Sequence, residues 1–133
     1  MKLLDTTYLI DLLNNKEDAY KKLDDLDHEP ALFITAINIF ELVAGVYKRY
    51  NENREQKIEE LLKFLSDFEI LDLDLVAALK AGKIKGSLIK TGSEIDIGDC
   101  LIGGIALANK VNTIITKNKK HFERIEGLNV ETY

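Results

Sequence analysis

The sequence has few of the residues that build disulfide frameworks, zinc sites or membrane spans. Its 133 residues include one cysteine, Cys100, and two histidines, His28 and His121. A single cysteine excludes an internal disulfide framework, and neither histidine has the spacing of a zinc ligand. The longest apolar runs are too short to cross a bilayer, and the N-terminus has no apolar signal region. We therefore expect a soluble, cytoplasmic protein without membrane contact.

Proline is also scarce, and the only one marks a boundary between predicted elements. Pro30 disfavours helix in the residue before it, so the polar helix predicted from residue 17 should end before a strand at 32–35. Further strands are predicted at 3–4, 68–73, 113–116 and around Val130, and helical patterns lie between them. This alternation predicts a single α/β domain over residues 1–133, with a mainly parallel sheet of about five strands.

Positive charge is in deficit overall but not everywhere. The net charge of −5 argues weakly against nucleic-acid binding. Residues 1–74 hold 9 basic and 17 acidic residues, whereas residues 75–122 hold 8 basic and 3 acidic ones. Solvated helix faces account for such lysines in most proteins. The alternative is a basic rim that steers a polyanion toward an acidic centre.

Four polar residues stand where apolar runs begin or end: Asp5, Glu41, Asp99 and Asn118. In open parallel sheets, ligands bind beyond the carboxyl ends of the strands, and each of these residues is predicted to lie near such an end. Carboxylates gathered without bases repel one another unless a hard divalent cation bridges them. The pattern therefore indicates a metal-dependent phosphoryl-transfer site.

Each of these residues also has an ordinary structural explanation. Asp5, Asp99 and the neighbouring Asp96 are typical helix caps, and Asn118 is typical of a turn. Glu41 is harder to explain structurally because its neighbours are apolar and an unpaired buried carboxylate is costly. The glycine pair at 103–104 indicates close packing of a helix against the sheet. Aromatic residues on the apolar helices, such as Phe40 and Tyr47, fit a core or a partner surface equally well.

Four segments of the chain resemble the motifs of PIN domains, in order and at similar spacing. They are residues 4–11 (LDTTYLID), 38–42 (NIFEL), 99–108 (DCLIGGIALA) and 116–122 (TKNKKHF), followed by a tail at 125–130. The resemblance covers nearly the whole chain and is greatest to VapC toxins of toxin–antitoxin pairs. It implies a three-layer sandwich with helices on both faces of the sheet.

The resemblance also implies an activity. It implies an endoribonuclease dependent on Mg²⁺ or Mn²⁺, with Asp5, Glu41 and Asp99 as metal ligands and Asn118 in the fourth catalytic position. Thr6, Asp96 and Thr116 would support the site. The fourth position often carries Asp in the family, so the neutral Asn118 argues against assuming two metals, and Asp96 is the other candidate for that position. A cognate antitoxin and a second copy of the chain are the implied protein partners, and RNA is the implied substrate.

Two other functional classes compete with a nuclease. A non-catalytic binding module would keep the fold without the chemistry, which the presence of Asp5, Glu41 and Asp99 argues against. A phosphoacceptor receiver domain is also α/β with clustered acids. It needs an acidic pair after the first strand, and the Asp5-Thr6 sequence does not supply one.

Overall fold

A computed structural model describes residues 1–133 and contains five strands and seven helices. The strands are β1 (Lys2–Leu4), β2 (Leu32–Thr35), β3 (Glu69–Leu71), β4 (Thr113–Ile115) and β5 (Asn129–Glu131). The helices are α1 (Thr6–Leu13), α2 (Glu17–Asp25), α3 (Ala36–Arg49), α4 (Arg54–Leu65), α5 (Leu75–Lys90), α6 (Ile97–Ala108) and α7 (Lys119–Phe122). No helix combines the length and the apolar character that crossing a bilayer requires.

All five strands join one sheet in the order β3-β2-β1-β4-β5, and every pairing is parallel. The predicted α/β fold is therefore confirmed, with a sheet that is wholly parallel. Strand β1 is central: Leu3 pairs with Phe33 on one side and with Ile114 on the other. A parallel sheet needs a crossover between strands, and the helices that supply it cover both faces.

The two faces of the sheet carry separate apolar cores. Successive side chains of a strand point to opposite faces, so Leu3 and Ile114 join one core while Leu4 and Ile115 join the other. The first core lies under α6 and includes Cys100, and the second lies under α1 and includes Tyr8. The helices over these two cores and the sheet between them make the three layers that the resemblance implied. Phe40 and Tyr47 lie outside both cores and are exposed.

Several element boundaries differ from the prediction by a few residues. Helix α6 begins at Ile97, so Asp99 lies inside its first turn, whereas the sequence predicted that the helix starts after Asp99. The backbone of Asp96 has the extended conformation of an N-cap residue, with φ −59° and ψ 149°, and the helix starts directly after it. Strand β3 is shorter than the strand predicted at 68–73.

Gly104 packs against a helix and Gly103 against Ile125, and neither packs against the sheet, which corrects the prediction. A Cβ atom on Gly104 would lie 2.7 Å from the backbone O atom of Ala77 and from the Cβ of Ala81, both in α5. A Cβ on Gly103 would lie 2.6 Å from the Cδ1 of Ile125. The missing side chains let α5 and α6 approach more closely than any larger residue allows.

This packing predicts that Gly104→Ala destabilises the protein. The added methyl group would contact backbone atoms that cannot move alone, and overpacking of this kind costs about 1–3 kcal/mol. Gly82→Ala is the matched control, because nothing lies within 4 Å of a Cβ at this helical position. The control should be neutral or stabilising by roughly 0.5–1 kcal/mol. Urea unfolding measures the stability of both variants. Equal free energies of unfolding for the two variants would contradict the close approach of α5 and α6.

Candidate active site

The carboxyl ends of three adjacent strands bring the predicted site residues to one edge of the sheet. Asp5 directly follows β1, Thr35 ends β2, and Thr116 directly follows β4. The backbone N–H of Asp5 donates to the carbonyl of Ile115 at 3.0 Å, which extends the ladder to this edge. Helices α1, α3 and α7 begin within a few residues of these strand ends. The edge is therefore lined by the first residues of three helices.

Asp5 is buried, with 2% of its surface exposed, and is held by hydroxyl groups. Its Oδ2 accepts hydrogen bonds from the Oγ1 of Thr116 at 2.7 Å and from the Oγ1 of Thr7 at 3.0 Å. Asp5 occupies the N-cap position of α1, yet its side chain makes no capping hydrogen bond. The carboxylate is thus positioned by neutral donors that fix it without neutralising its charge.

Glu41 is positioned by a chain of hydrogen bonds that starts in β2. Thr35 and Asn38 form a capping box at the start of α3, and both are fully buried. The Nδ2 of Asn38 donates to the Oγ1 of Thr6 at 2.9 Å, and Thr6 donates to the Oε1 of Glu41 at 2.7 Å. Glu41 is half-buried and extends toward this hydroxyl. Its neighbour Phe40 points away and is 68% exposed.

Asp99 lies in the first turn of α6, where the partial positive charge of a helix N-terminus favours a carboxylate. Its Oδ2 lies 2.8 Å from the Nδ1 of His121, the residue before the end of α7. Gly98 brings Glu41 close to the same turn, because a Cβ at Gly98 would lie only 3.2 Å from the Oε2 of Glu41. The start of α6 therefore contacts both α3 and α7 through acidic side chains.

Burial raises the pKa of all three carboxyl groups above their ordinary values. The hydroxyl of Thr116 partly offsets this effect for Asp5 by lowering its pKa. For Glu41, the hydroxyl of Thr6 lowers the pKa, and the negative charges of Asp5, Asp99 and Asp96 raise it further. For Asp99, the hydrogen bond from His121 lowers the pKa. The three carboxylates therefore interact electrostatically, and their shared negative charge is unfavourable in the absence of a cation.

His121 is the site residue that the sequence analysis missed. The ligand atoms of Asp96, Asp99 and His121 all lie within 4.8 Å of one another, so these side chains could hold a metal ion, and neither Asp5 nor Glu41 belongs to this group. The two acids precede the histidine by more than 20 residues, and a separation of that length is not a recognisable ligand spacing. Only the position of α7 after β4, beside the start of α6, could have indicated the contact.

The other predicted residues lie at the same edge in different roles. Thr116 is fully buried and accepts a hydrogen bond from the backbone N–H of Asn118 at 2.9 Å. The side chain of Asn118 is half-buried and makes no hydrogen bond. Asp96 is exposed and its side chain does not cap α6, although it occupies the N-cap position. Asn118 and Asp96 therefore both have free oxygen atoms beside the acidic cluster.

The chemistry of this donor set fits a hard divalent cation. No lysine or arginine forms an ion pair with Asp5, Glu41, Asp96 or Asp99, and His121 is the only basic side chain paired with one of them. Carboxylate oxygens are the ligands that Mg²⁺ and Mn²⁺ prefer, and such ions also keep several waters. The uncompensated negative charge is therefore of the kind that a cation relieves.

The chain is similar to known proteins along nearly its whole length. Residues 2–128 match the PIN domain family. The chain is 30% identical over 131 residues to the tRNA(fMet)-specific endonuclease VapC of Salmonella typhimurium, covering 98% of this chain and 96% of that protein. It is 32% identical over 132 residues to Ribonuclease VapC2 of Rickettsia felis, and the match covers 98% of this chain and 96% of that protein.

A solved structure shows the same fold. The crystal structure of VapBC2 from Rickettsia felis bound to a DNA fragment from its promoter contains a chain that superposes with a TM-score of 0.86. That chain is 30% identical in sequence, and the match covers 99% of this chain and 98% of that one.

The raised pKa values predict how Asp5→Asn changes stability with pH. Between the ordinary pKa of a carboxyl group, about 4, and its raised value here, the folded state binds more protons than the unfolded state. The parent therefore loses stability as pH rises through that window, whereas the variant does not pay this cost. In EDTA, the Tm of the variant minus that of the parent should grow by a few degrees from about pH 4 to pH 8.

Thermal melts in EDTA and in about 10 mM Mg²⁺, a concentration high enough to occupy a weak site, test this expectation. Mg²⁺ should raise the Tm of the parent and reduce the difference in Tm between variant and parent, because the cation offsets the charge that the variant lacks. Asp67→Asn, which removes an exposed carboxylate, controls for the loss of one negative charge. A difference that is independent of both pH and Mg²⁺ would contradict the proposed clustering of charge.

Proposed function

The chain belongs to the PIN-domain family, and on that premise we propose that it is a metal-dependent endoribonuclease and the toxin of a toxin–antitoxin pair. One observation carries the proposal: Asp5, Glu41 and Asp99 converge at one sheet edge without a lysine or arginine to balance them. The full-length relationship to VapC ribonucleases supports the reaction type. A single domain spanning residues 1–133, acting in the cytoplasm on RNA, is part of the same proposal.

Asp5, Glu41 and Asp99 would hold the cation, which we propose to be Mg²⁺ or Mn²⁺. When bound, the cation supplies charge stabilisation at the scissile phosphate and lowers the pKa of water beside it. The protein supplies the positions of the ligands. Thr116 and Thr7 orient Asp5, and the hydrogen-bond chain through Thr6 orients Glu41. The contact with His121 orients Asp99.

The fourth catalytic position is open to two residues. Asn118 provides a neutral amide next to Thr116, and Asp96 provides a charge next to Asp99. A neutral residue in this position weakens the binding of a second cation, because less negative charge compensates its approach. We therefore propose one cation, with Asn118 as the fourth residue that contacts the substrate or its surrounding waters.

The antitoxin is proposed to occupy a groove that reaches the acidic site. A cavity of about 350 Å³ lies between α1, α3 and α4, and Glu41 forms part of its lining. Its apolar walls include Ile10, Leu13, Val46 and Leu61. A partner segment bound there would extend to Glu41 and cover the site. The structures of VapBC2 and of FitAB, each solved with DNA and similar to this chain, support a protein partner of this kind.

The non-catalytic alternative has less support. A binding module has no use for a buried carboxylate at Asp5, whose ionisation is costly. Two separate hydrogen-bond systems hold Asp5 and Glu41 in place, which a module without chemistry does not require.

The deciding experiment is cleavage of a long single-stranded RNA with Mg²⁺ or Mn²⁺. We expect cleavage that EDTA abolishes, and a loss of about 10²-fold or more in rate for Asp5→Asn, since several kcal/mol of charge stabilisation depend on the cation. Asp67→Asn should cut RNA like the parent. A nuclease activity that survives EDTA, or one that Asp5→Asn leaves unchanged, would refute the metal site, and equal inactivity of all proteins would favour the binding module.

A homodimer is the second part of the proposal, and α5 offers the surface for it. Its first two turns expose Leu75, Val76 and Leu79, with 75% of Leu75 and 66% of Leu79 accessible. These residues share one helix face, and exposed apolar patches of this kind mark interaction sites. We propose that a second copy of the chain covers them.

Analytical ultracentrifugation of a double variant, Leu75→Glu with Leu79→Glu, tests this surface. Burying two carboxylates in an apolar interface is costly, so the variant should sediment as a monomer while the parent sediments as a dimer. Leu62→Glu with Ile89→Glu removes two other exposed apolar side chains and should leave the dimer intact. A parent that is monomeric, or a double variant that stays dimeric, would show that this face is not the interface.

A further inference from the structure

A second cavity, of about 500 Å³, lies between α5 and the segment that follows α7. We call it the α5 groove and define it by three basic and three apolar side chains. These are Lys80, Lys83, Arg124, Ile84, Leu88 and Ile125. Its volume lies within the range of about 300–1,000 Å³ that is typical of ligand sites. Its lining includes none of Asp5, Glu41, Asp96 and Asp99, so it is distinct from the acidic cluster.

The basic side chains of the α5 groove carry charge that the protein leaves uncompensated. Lys80, Lys83 and Arg124 form no ion pair. Two other lysines of the basic half are paired: Lys85 lies 2.6 Å from Glu94, and Lys117 lies 2.8 Å from Asp11. One acid, Glu126, lines the groove against the three bases. The groove therefore keeps a net positive charge over an apolar floor.

A short path of direct contacts joins this groove to the acidic site. The backbone N–H of Arg124 donates to the carbonyl of His121 at 3.2 Å, and His121 contacts Asp99. The guanidinium of Arg124 also donates to the carbonyls of Ser93 and Glu94, in the loop that leads to α6. One Nη1 atom makes both contacts, so other donors of the fork remain free. Arg124 thus joins the groove to His121 and to the loop before α6.

We infer that the α5 groove binds the phosphate backbone of the RNA to one side of the cleaved bond. This inference rests on the proposed function, since it extends the same substrate beyond the acidic centre. A polyanion held at a cluster of carboxylates needs positive charge nearby to offset the repulsion, and this groove supplies it. Lys80 and Lys83 are three residues apart on one helix face, with Cβ atoms about 5–6 Å apart, so they can contact successive phosphates. The floor of Ile84, Leu88 and Ile125 can cover a sugar or base face.

The test is a double variant, Lys80→Glu with Lys83→Glu, assayed for binding and for cleavage. The binding probe is a fluorescein-labelled 20-nucleotide oligouridylate, and each protein also carries Asp5→Asn so that the RNA stays intact. Losing two phosphate contacts to a single strand should reduce the slope of log K against log salt by about 1.4, and should weaken binding at least roughly tenfold at low salt. In the cleavage assay with the active protein, KM should rise while kcat stays unchanged, because neither lysine touches the acidic site.

The control is Lys48→Glu with Lys63→Glu, which makes the same change in charge at exposed, unpaired lysines in the acidic half. It should bind and cleave RNA like the parent. Sedimentation and thermal melts check that the tested variant keeps the parent's oligomeric state and fold. If the parent binds and cuts RNA but the two double variants behave alike, the α5 groove does not bind RNA and the nuclease proposal stands. If the parent neither binds nor cuts RNA, both proposals fail.

Discussion

Repulsion among carboxylates at one edge of the sheet is the constraint on which the rest of the site depends. Asp5, Glu41 and Asp99 lose hydration where they meet, and burial raises the pKa of each. Hydroxyl groups hold two of them and an imidazole holds the third. Hydroxyl donors fix position without cancelling charge, so the acidic potential that attracts a cation is preserved. A lysine in their place would have stabilised the fold and removed that potential.

The fold meets this constraint through strand order. Because β1 lies between β2 and β4, three consecutive carboxyl ends supply Asp5, the Thr35–Asn38 capping box and Thr116 to one edge. The close approach of α5 and α6, which Gly104 allows, fixes the helix whose first turn carries Asp99. Core packing on one face of the sheet and ligand position on its edge are therefore linked through α6. We therefore expect a change in the α5–α6 contact to shift the position of Asp99 without altering any ligand.

Net charge conceals how the two halves of the chain differ. The acidic first half supplies two of the three central carboxylates, and the basic second half supplies the third. The structure divides the lysines into those in ion pairs and those that are free. Lys85 and Lys117 pair with carboxylates, whereas Lys80 and Lys83 line a cavity. A count of charges treats all of these lysines alike, although only the unpaired ones offer an anion an uncompensated charge.

Local pattern was enough to determine the fold class, the parallel sheet and the candidate acids. The alternation of apolar strands with amphipathic helices depends on neighbours in the chain. Asp5 stands directly after β1, and Glu41 and Asp99 lie in the first two turns of α3 and α6. Sequence alone did not determine the contact of His121 with Asp99, the pairing of Gly104 with α5 or the basic groove. Each of these joins residues on different elements, at distances set by how the helices cross over the sheet. Only the packed tertiary structure decides those distances, because the period of a strand or helix contains no information about its neighbour.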